Sequence, residues 1–147
     1  MNTQNLKIYC VTNKEINFLK ENRYILSRVG EMKAPQNYIA CDNGENIYYK
    51  EKFYSELTFH YWYWKNLLNY ENKNWIGFCQ KRRFWIKSNK KIKDIQDLKK
   101  YILRKPEKKW KKYESIICNP IRVDSPRKMK LLKRGWKNIV KDPSIIL

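Results

Sequence analysis

Residues 56–85 read ELTFHYWYWKNLLNYENKNWIGFCQKRRFW, and this stretch decides the fold. Its first part predicts a helix over residues 54–70, because apolar side chains recur there at the 3.6-residue period of a helix. The stripe consists of Leu57, Tyr61, Trp64 and Leu68. Further aromatic residues extend the apolar surface around most of this helix, which predicts that it packs on more than one side. The second part, Trp75–Cys79, is an unbroken apolar run between polar residues and predicts a strand.

Shorter apolar segments on both sides of this stretch predict further strands. They are Leu6–Thr12, Tyr24–Val29, Tyr38–Cys41 and Glu114–Asn119. Helices are predicted over residues 14–22, 94–103 and 125–141, the last with Ser125 at its N-cap and Pro126 in its first turn. Strands that alternate with helices favour an α/β domain with a mixed, largely parallel sheet flanked by helices. The 147 residues suffice for one domain of this kind, which we expect to span residues 1–147 and to include the basic helix 125–141.

The positive charge of the chain is concentrated in its second half. The net charge is +19; residues 1–80 carry 10 Lys or Arg against 8 Asp or Glu, whereas residues 81–147 carry 23 against 6. This asymmetry indicates an anionic partner, namely nucleic acid, an anionic membrane surface or a diphosphate ligand. The alternative is a Lys-, Asn- and Ile-rich composition of the kind that AT-rich genomes encode. The basic, amphipathic helix 125–141 fits either an anionic bilayer surface or the core of the domain.

Two further features concern the compartment of the protein. No apolar stretch reaches the ~20 residues of a membrane-spanning helix, and the first residues lack the basic and apolar regions of a secretory signal. We therefore expect a cytoplasmic protein, with peripheral contact at the inner face of the cytoplasmic membrane. The apolar ending PSIIL predicts that the domain continues in further chain or is completed by a partner.

Several chemistries are disfavoured by what the sequence lacks. Cys10, Cys41, Cys79 and Cys118 each end a short apolar run, and no CxxC pair exists, so we predict buried reduced thiols rather than a zinc site. His60 is the only histidine, which disfavours histidine-based triads and multi-histidine metal sites. Neither GxGxxG nor GxxxxGK[ST] occurs, so no glycine-rich phosphate loop is expected. The sequence thus predicts no cofactor and leaves a divalent metal, Mn²⁺ or Mg²⁺, as an open alternative.

Polar clusters follow three of the predicted strands. They are Thr12-Asn13-Lys14, the segment Asp42 to Asn46 and the segment Gln80 to Arg83. Ligands of open α/β sheets bind outside the carboxyl ends of the strands, so these clusters predict a site at one edge of the sheet.

Each candidate also has a purely structural interpretation. Asp42 and Glu45 fit a tight turn around Gly44, and the paired arginines fit a solvated basic segment. Glu56 complements the dipole at the start of the aromatic helix. The aromatics at residues 61–64 either stack on sugar or base rings or belong to the core.

Three motifs, in this order and spacing, resemble those of a bacterial glycosyltransferase-like family from capsule and lipopolysaccharide gene clusters, which is catalogued mainly as a domain of unknown function. That family typically reads DNTGDNIS, then ELTxxYWxWKN, then GLCHYRRYF. Asp42, Gly44, Asn46 and Ile47 match the first motif, with Asn43 and Glu45 as conservative differences. Residues 56–66 and 77–84 match the second and third. Gln80-Lys81 replace the family's His-Tyr, and Tyr48 replaces its serine.

The resemblance implies a GT-A-like fold, similar to nucleotide-diphospho-sugar transferases, of which this chain forms a shortened, N-terminal part. It implies transfer of a sugar from a nucleoside-diphosphate donor to a polysaccharide or lipid-linked acceptor. Many GT-A enzymes hold Mn²⁺ or Mg²⁺ on an Asp-x-Asp motif, which is lacking here, so Arg82 and Arg83, together with Lys81, are expected to bind the donor diphosphate. Sugar or nucleotide contacts are expected from Thr12, Asp42, Asn43, Glu45 and Asn46, and a catalytic base from Glu56.

Two other functions are compatible with the same sequence. The basic half contains Trp85, Trp110 and Trp136 among its lysines, a pattern that also fits a non-enzymatic nucleic-acid-binding protein. A catalytically inactive scaffold of the same fold is the third alternative.

Overall fold

The computed structural model describes residues 5–16, 24–31, 37–87 and 90–119, together with residues 135, 136 and 140. The chain divides into two compact units, Met1–Lys112 and Tyr113–Leu147. The sheet and helices described below belong to the first unit.

A four-stranded parallel sheet forms the centre of the first unit. Its strands are β1 (Leu6–Thr12), β2 (Ile25–Arg28), β3 (Ile39–Ala40) and β4 (Trp75–Gln80). Their spatial order is β3-β2-β1-β4, and all three pairings are parallel. With helices flanking the sheet, the predicted α/β fold is confirmed. The four strands predicted from the apolar runs before residue 80 are all present.

The helices in the described part of this unit are short. They are α1 (Glu51–Tyr54), α2 (Leu57–Asn66) and α3 (Ile95–Tyr101), with 3₁₀ turns at Tyr48–Lys50 and Lys108–Lys112. Asp94 caps α3, since its side chain accepts a hydrogen bond from the backbone N–H of Asp97. The predicted helix over residues 54–70 was wrong in its bounds. Ser55 has φ of 49° and separates α1 from α2, and α2 ends at Asn66.

One face of the sheet is covered by α2. Tyr9 and Val11 of β1 project from this face and pack with Phe59, Trp62 and Tyr63 of the helix. The ring centroids of Tyr9 and Tyr63 lie 4.9 Å apart, and Phe78 of β4 stacks beside Tyr9. Alternate side chains of β1 thus supply this half of the core.

The opposite face is covered by the chain that follows β4. Ile8 and Cys10 alternate with the residues named above and pack in a cluster with Ile102, Phe84 and Trp85. The Leu103 N–H donates to the Trp85 carbonyl at 2.8 Å, and Trp85 Nε1 donates to the Phe78 carbonyl at 2.8 Å. Residues 84–103 therefore form the second covering layer.

The buried side of α2 differs from the predicted stripe. Leu57 and Trp64 of that stripe are 57% and 51% exposed, whereas Thr58 and Phe59 are fully buried. Thr58 tolerates burial because its hydroxyl donates to the Ser55 carbonyl at 2.7 Å. A helix that is apolar around most of its circumference does not indicate which of its sides faces the core.

Other predictions have mixed outcomes. The predicted strand Glu114–Asn119 is wrong, because these residues have no strand conformation and Ile117 is exposed. Cys118 is exposed, against prediction, whereas the other three cysteines are buried and all four are free thiols. Residues 14–16 are not helical, and the remainder of the predicted helix 14–22 lies outside the described residues. Most of the predicted helix 125–141 also lies outside them; residues 135, 136 and 140 are helical.

Candidate functional site at the carboxyl edge of the sheet

The loops after β1 and β4 meet at the carboxyl edge of the sheet. These two strands are neighbours, and the strand order reverses between them, which makes their carboxyl ends the usual ligand crevice of an open α/β sheet. Lys81 Nζ donates to Asn13 Oδ1 at 2.6 Å and so joins the two loops. The structure thus brings together two of the three predicted polar clusters.

The turn after β4 presents the paired arginines. Gln80 and Arg83 exchange two backbone hydrogen bonds, at 3.2 and 3.0 Å, which place Lys81 and Arg82 at the tip of a tight turn. Lys81 is half-buried, and both Arg82 and Arg83 are exposed. Within the described part of the chain neither arginine pairs with a carboxylate, so three cations stand at the end of β4 without local neutralisation.

Thr12 shapes the loop after β1. Its side chain is buried, and its hydroxyl donates to the Lys14 carbonyl at 2.6 Å while accepting from the Lys14 N–H at 3.0 Å. These bonds form a local turn that leaves Asn13 exposed. Thr12 therefore stabilises the loop through its buried side chain, and the side chain of Asn13 is exposed to solvent.

The segment from Asp42 to Asn46 is fastened to α2. Trp62 Nε1 donates to the backbone and side-chain oxygens of Asn43 at 2.8 and 3.0 Å. Asn66 accepts from the Glu45 N–H at 3.2 Å and donates to the Glu45 carbonyl at 2.9 Å. Gly44, with φ of +58°, brings the backbone so close that a Cβ would lie 2.1 Å from Asn66 Oδ1. Trp62 and Asn66, which belong to the second motif, therefore hold the loop of the first motif, Asp42 to Asn46, in place.

Two other members of this loop have their own partners. Asp42 forms an ion pair with Arg28 at the carboxyl end of β2. The Asn46 side chain donates to the Gly44 carbonyl at 2.9 Å and accepts from the Tyr48 N–H at 3.1 Å. Asp42 and Asn46 thus stabilise the loop in the structure as it stands.

Glu45 is the exposed carboxylate of the loop. Tyr61 donates a 2.7 Å hydrogen bond to Glu45 Oε1, and Lys65 forms an ion pair with the same oxygen at 3.1 Å. The hydrogen bond from Tyr61, followed by the contact with Lys65, lowers the pKa of Glu45. Glu45 is therefore an anion at neutral pH and acts as an acceptor of hydrogen bonds.

An exposed aromatic cluster surrounds this carboxylate. It consists of Tyr49, Tyr61, Trp64 and Tyr70. Tyr61 and Trp64 meet edge to face with centroids 5.8 Å apart, and Trp64 Nε1 donates to the Tyr70 hydroxyl at 3.2 Å. Lys65 Nζ lies 4.5 Å from the Trp64 ring centroid. The sequence left the aromatics at residues 61–64 open between core and ligand contact; Trp62 and Tyr63 are core, whereas Trp64 is 51% exposed.

Glu56 lies at the first turn of α2, directly after the positive-φ residue Ser55. It is half-buried, and its carboxylate opposes the effect of burial on His60, whose pKa is lowered by desolvation. The imidazole packs on Phe78 with ring centroids 4.4 Å apart. No contact within the described residues joins Glu56 to the Lys81–Asn13 pair.

Possible metal ligands and buried thiols both occur in the described part of the chain. There, no group of three or more His, Cys, Asp or Glu side chains is placed to hold a metal ion. Burial raises the pKa of Cys41 to about 11, and the contact with Cys10, together with burial, raises that of Cys79. These thiols are protonated at neutral pH and are poor nucleophiles.

The family of the chain follows from residues 7–141, which match a domain of unknown function, DUF4422. The chain belongs to this family. No curated protein and no solved structure matches it. The description of DUF4422 names no activity, so the resemblance to sugar transferases stays a prediction. None of the described helices is long and apolar enough to cross a membrane.

Some residues of the DUF4422 site were not singled out from the sequence. Arg28 pairs with Asp42, and Tyr49 and Tyr70 complete the aromatic cluster. No local sequence pattern identifies them, because their partners lie elsewhere in the sequence and come into contact with them only in the folded structure. Asn66, by contrast, lies inside the second motif, and its position there was a usable signal.

Proposed function

We propose that this protein transfers a sugar from a nucleoside-diphosphate donor to a polysaccharide or lipid-linked acceptor in cell-surface polysaccharide synthesis, on a GT-A-like fold. The observation that carries the proposal is the hydrogen bond between Lys81 and Asn13 at the carboxyl edge, with Arg82 and Arg83 exposed beside it. Sugar transfer develops negative charge on the departing diphosphate, and fixed cations stabilise that charge without rearranging.

The cations divide this task according to their geometry. Arg82 and Arg83 offer planar forks of N–H donors that match phosphate oxygens, and both stay charged at any working pH. Lys81 is held by Asn13 and supplies a positioned ammonium group. In this proposal the three cations neutralise the diphosphate in place of Mn²⁺ or Mg²⁺.

The exposed aromatic cluster supports the sugar-binding part of the proposal. A sugar ring has an apolar C–H face that packs on aromatic rings and hydroxyl groups that bond to polar side chains. Tyr61 and Trp64 offer such rings, and the Glu45 carboxylate and Lys65 ammonium lie among them. We assign the acceptor glycan to this cluster and the catalytic base to Glu56. Asp42, Asn43 and Asn46 hold the loop that carries Glu45.

Thermal unfolding with a panel of nucleoside diphosphates and nucleotide sugars, with and without Mn²⁺, tests the donor site. A ligand present at 100 times its dissociation constant should add about 2.7 kcal/mol to the free energy of unfolding. We expect a base-selective rise in melting temperature that needs no Mn²⁺ and is lost in Arg82→Ala and in Arg83→Ala.

Two control variants separate this result from a general effect of charge. Lys111→Ala removes an exposed cation of the 3₁₀ turn Lys108–Lys112, and Trp64→Ala removes an aromatic ring assigned to the acceptor; both should keep the nucleotide shift. Absence of any shift in a folded sample would contradict the transferase proposal and favour the scaffold or nucleic-acid alternative.

A further inference from the structure

Among the described residues, positive charge is concentrated in the part of the chain that follows β4. Residues 37–80, which include α2, carry 4 Lys or Arg and 5 Asp or Glu. Residues 81–112, which include the layer on the opposite face, carry 15 against 3. Residues 81–112, here termed the basic layer, thus differ strongly in charge from the layer around α2 and point to a partner of their own.

Within the basic layer, the described residues between 87 and 105, namely 87 and 90–105, belong to one closed segment, here termed the basic segment. Its ends are tied together, because the Lys87 N–H donates to the Tyr101 carbonyl at 2.9 Å and residues 86 and 102 form a β-bridge. The segment carries eight cations and two acids. Both acids bond to backbone of the segment itself: Asp94 accepts from the Asp97 N–H, and Asp97 accepts from the Lys93 N–H at 3.2 Å.

Apolar side chains are exposed among these cations. Ile92 and Ile95 are 36% and 47% exposed, and they alternate in sequence with exposed Lys91 and Lys93. Lys90 and Lys100 lie over the Tyr101 ring, at 5.4 and 5.3 Å from its centroid. A phosphate backbone attracts lysines but offers no apolar phase for isoleucine. An anionic bilayer accommodates both, with ammonium groups among the headgroups and isoleucine at the acyl boundary.

We propose that the basic segment docks this protein on the surface of an anionic lipid bilayer. The proposal rests on charge and apolar exposure and is independent of the proposed transferase activity. It assigns the membrane contact to the first unit, whereas the sequence alone suggested helix 125–141. The neutral layer around α2, with its exposed aromatic cluster, then lies on the side of the sheet that faces away from the lipid.

Co-sedimentation of the full chain with vesicles tests the proposal. The chain should bind vesicles of phosphatidylcholine mixed with phosphatidylglycerol and should not bind phosphatidylcholine alone. Since each lysine at a bilayer surface contributes measurably to binding, the triple change Lys90→Glu, Lys91→Glu and Lys93→Glu should lower the partition coefficient about 100-fold or more. The double change Ile92→Ser and Ile95→Ser should lower it while leaving its salt dependence unaltered.

A matched triple variant controls for net charge. Lys50→Glu, Lys52→Glu and Lys73→Glu change the charge by the same amount outside the basic layer, and this protein should keep most of its vesicle binding. Equal losses in the two triple variants would overturn the proposal, as would absence of binding to the mixed vesicles. It would also be overturned if the isoleucine change had no effect and duplex DNA competed fully, a result that favours nucleic acid.

The test of the proposed transferase activity is independent of the test of vesicle binding. Nucleotide-induced thermal shifts are measured without lipid, so a chain that binds no nucleotide still gives a clear result with vesicles. Conversely, Arg82 lies outside the basic segment, so Arg82→Ala should leave most of the vesicle binding in place.

Discussion

His60 gives the protein a defined response to acid. Its imidazole is half-buried against Phe78, and burial lowers its pKa from the ordinary 6.5. The unfolded chain therefore binds more protons than the folded chain between the folded-state pKa and 6.5, and stability falls as the pH is lowered through this window. We expect the free energy of unfolding in urea to decrease from about pH 8 to about pH 5.5, and His60→Phe to remove this part of the decrease.

Glu56 provides the control for this pH effect. Its carboxylate raises the His60 pKa and so opposes the effect of burial. Glu56→Gln should therefore make the loss of stability on acidification steeper, whereas His60→Phe makes it shallower. Because the chain has a single histidine, the difference between variants isolates this group. Identical pH profiles for the wild type and both variants would show that His60 is solvated in the folded protein.

At the scale of elements, the contact between the Asp42–Asn46 loop and α2 is testable through Gly44 and Asn66. A Cβ at Gly44 would meet Asn66 Oδ1 at 2.1 Å, on backbone with φ of +58°. Gly44→Ala should cost about 2–4 kcal/mol, because it strains the backbone and displaces an amide that makes several hydrogen bonds. Urea unfolding of the two single variants and the double variant measures the coupling.

The energetic coupling between Gly44→Ala and Asn66→Ala has an expected sign. Asn66→Ala removes the atom that the new methyl group would meet, so Gly44→Ala should cost only about 1 kcal/mol in that background. Gly135→Ala is the control, because this helical glycine has nothing within 4 Å of its Cβ position and should be neutral or slightly stabilising. Simple additivity of Gly44→Ala and Asn66→Ala would contradict the contact.

The observed strands and helices show which structural features can be predicted from apolar patterns in the sequence. Short apolar runs such as Leu6–Thr12 were recognisable as strands, since both faces of a parallel sheet are covered and the pattern is continuous. Helix α2 was recognisable as a helix, but its buried side was not, because Phe59, Trp62 and Tyr63 compete with Leu57 and Trp64 for the core. Apolar character also led to the wrong strand prediction around Ile117. That segment is as apolar as a strand, but its described residues pair with no strand.

At the scale of the whole molecule, topology made part of the candidate site predictable. Parallel strands place their carboxyl ends at one edge, so a site of polar clusters at that edge was predicted from the strand assignments, whereas the contact between Asn13 and Lys81 depends on the strand order, which only the structure shows. The roles of Asp42 and Glu45 did not follow, because their partners Arg28 and Lys65 come from elements distant in sequence. The excess of positive charge could be counted along the sequence, but its concentration in one layer of the fold could be recognised only from the structure.

The uneven charge also makes a prediction for the stability of the whole chain. Residues 81–112 carry fifteen cations and only three acids, and the cations repel one another more in the folded layer than in an expanded chain. Salt shortens the range of this repulsion from ~10 Å at 0.1 M to ~3 Å at 1 M. Raising NaCl over this range should therefore raise the melting temperature by about 3–6 °C, or roughly 1 kcal/mol.

Attractive ion pairs act in the opposite direction. Lys65–Glu45 and Lys109–Glu107, both among the described residues, have exposed members, so solvent and salt screen their attraction. Neutralising part of the basic layer by Lys111→Gln and Lys112→Gln should flatten the dependence of melting temperature on salt. Lys50→Gln with Lys52→Gln, outside that layer, should leave it nearly unchanged. A melting temperature that falls with salt would mean that ion pairs outweigh repulsion, and that the basic layer is neutralised within the chain rather than left open to an anionic partner.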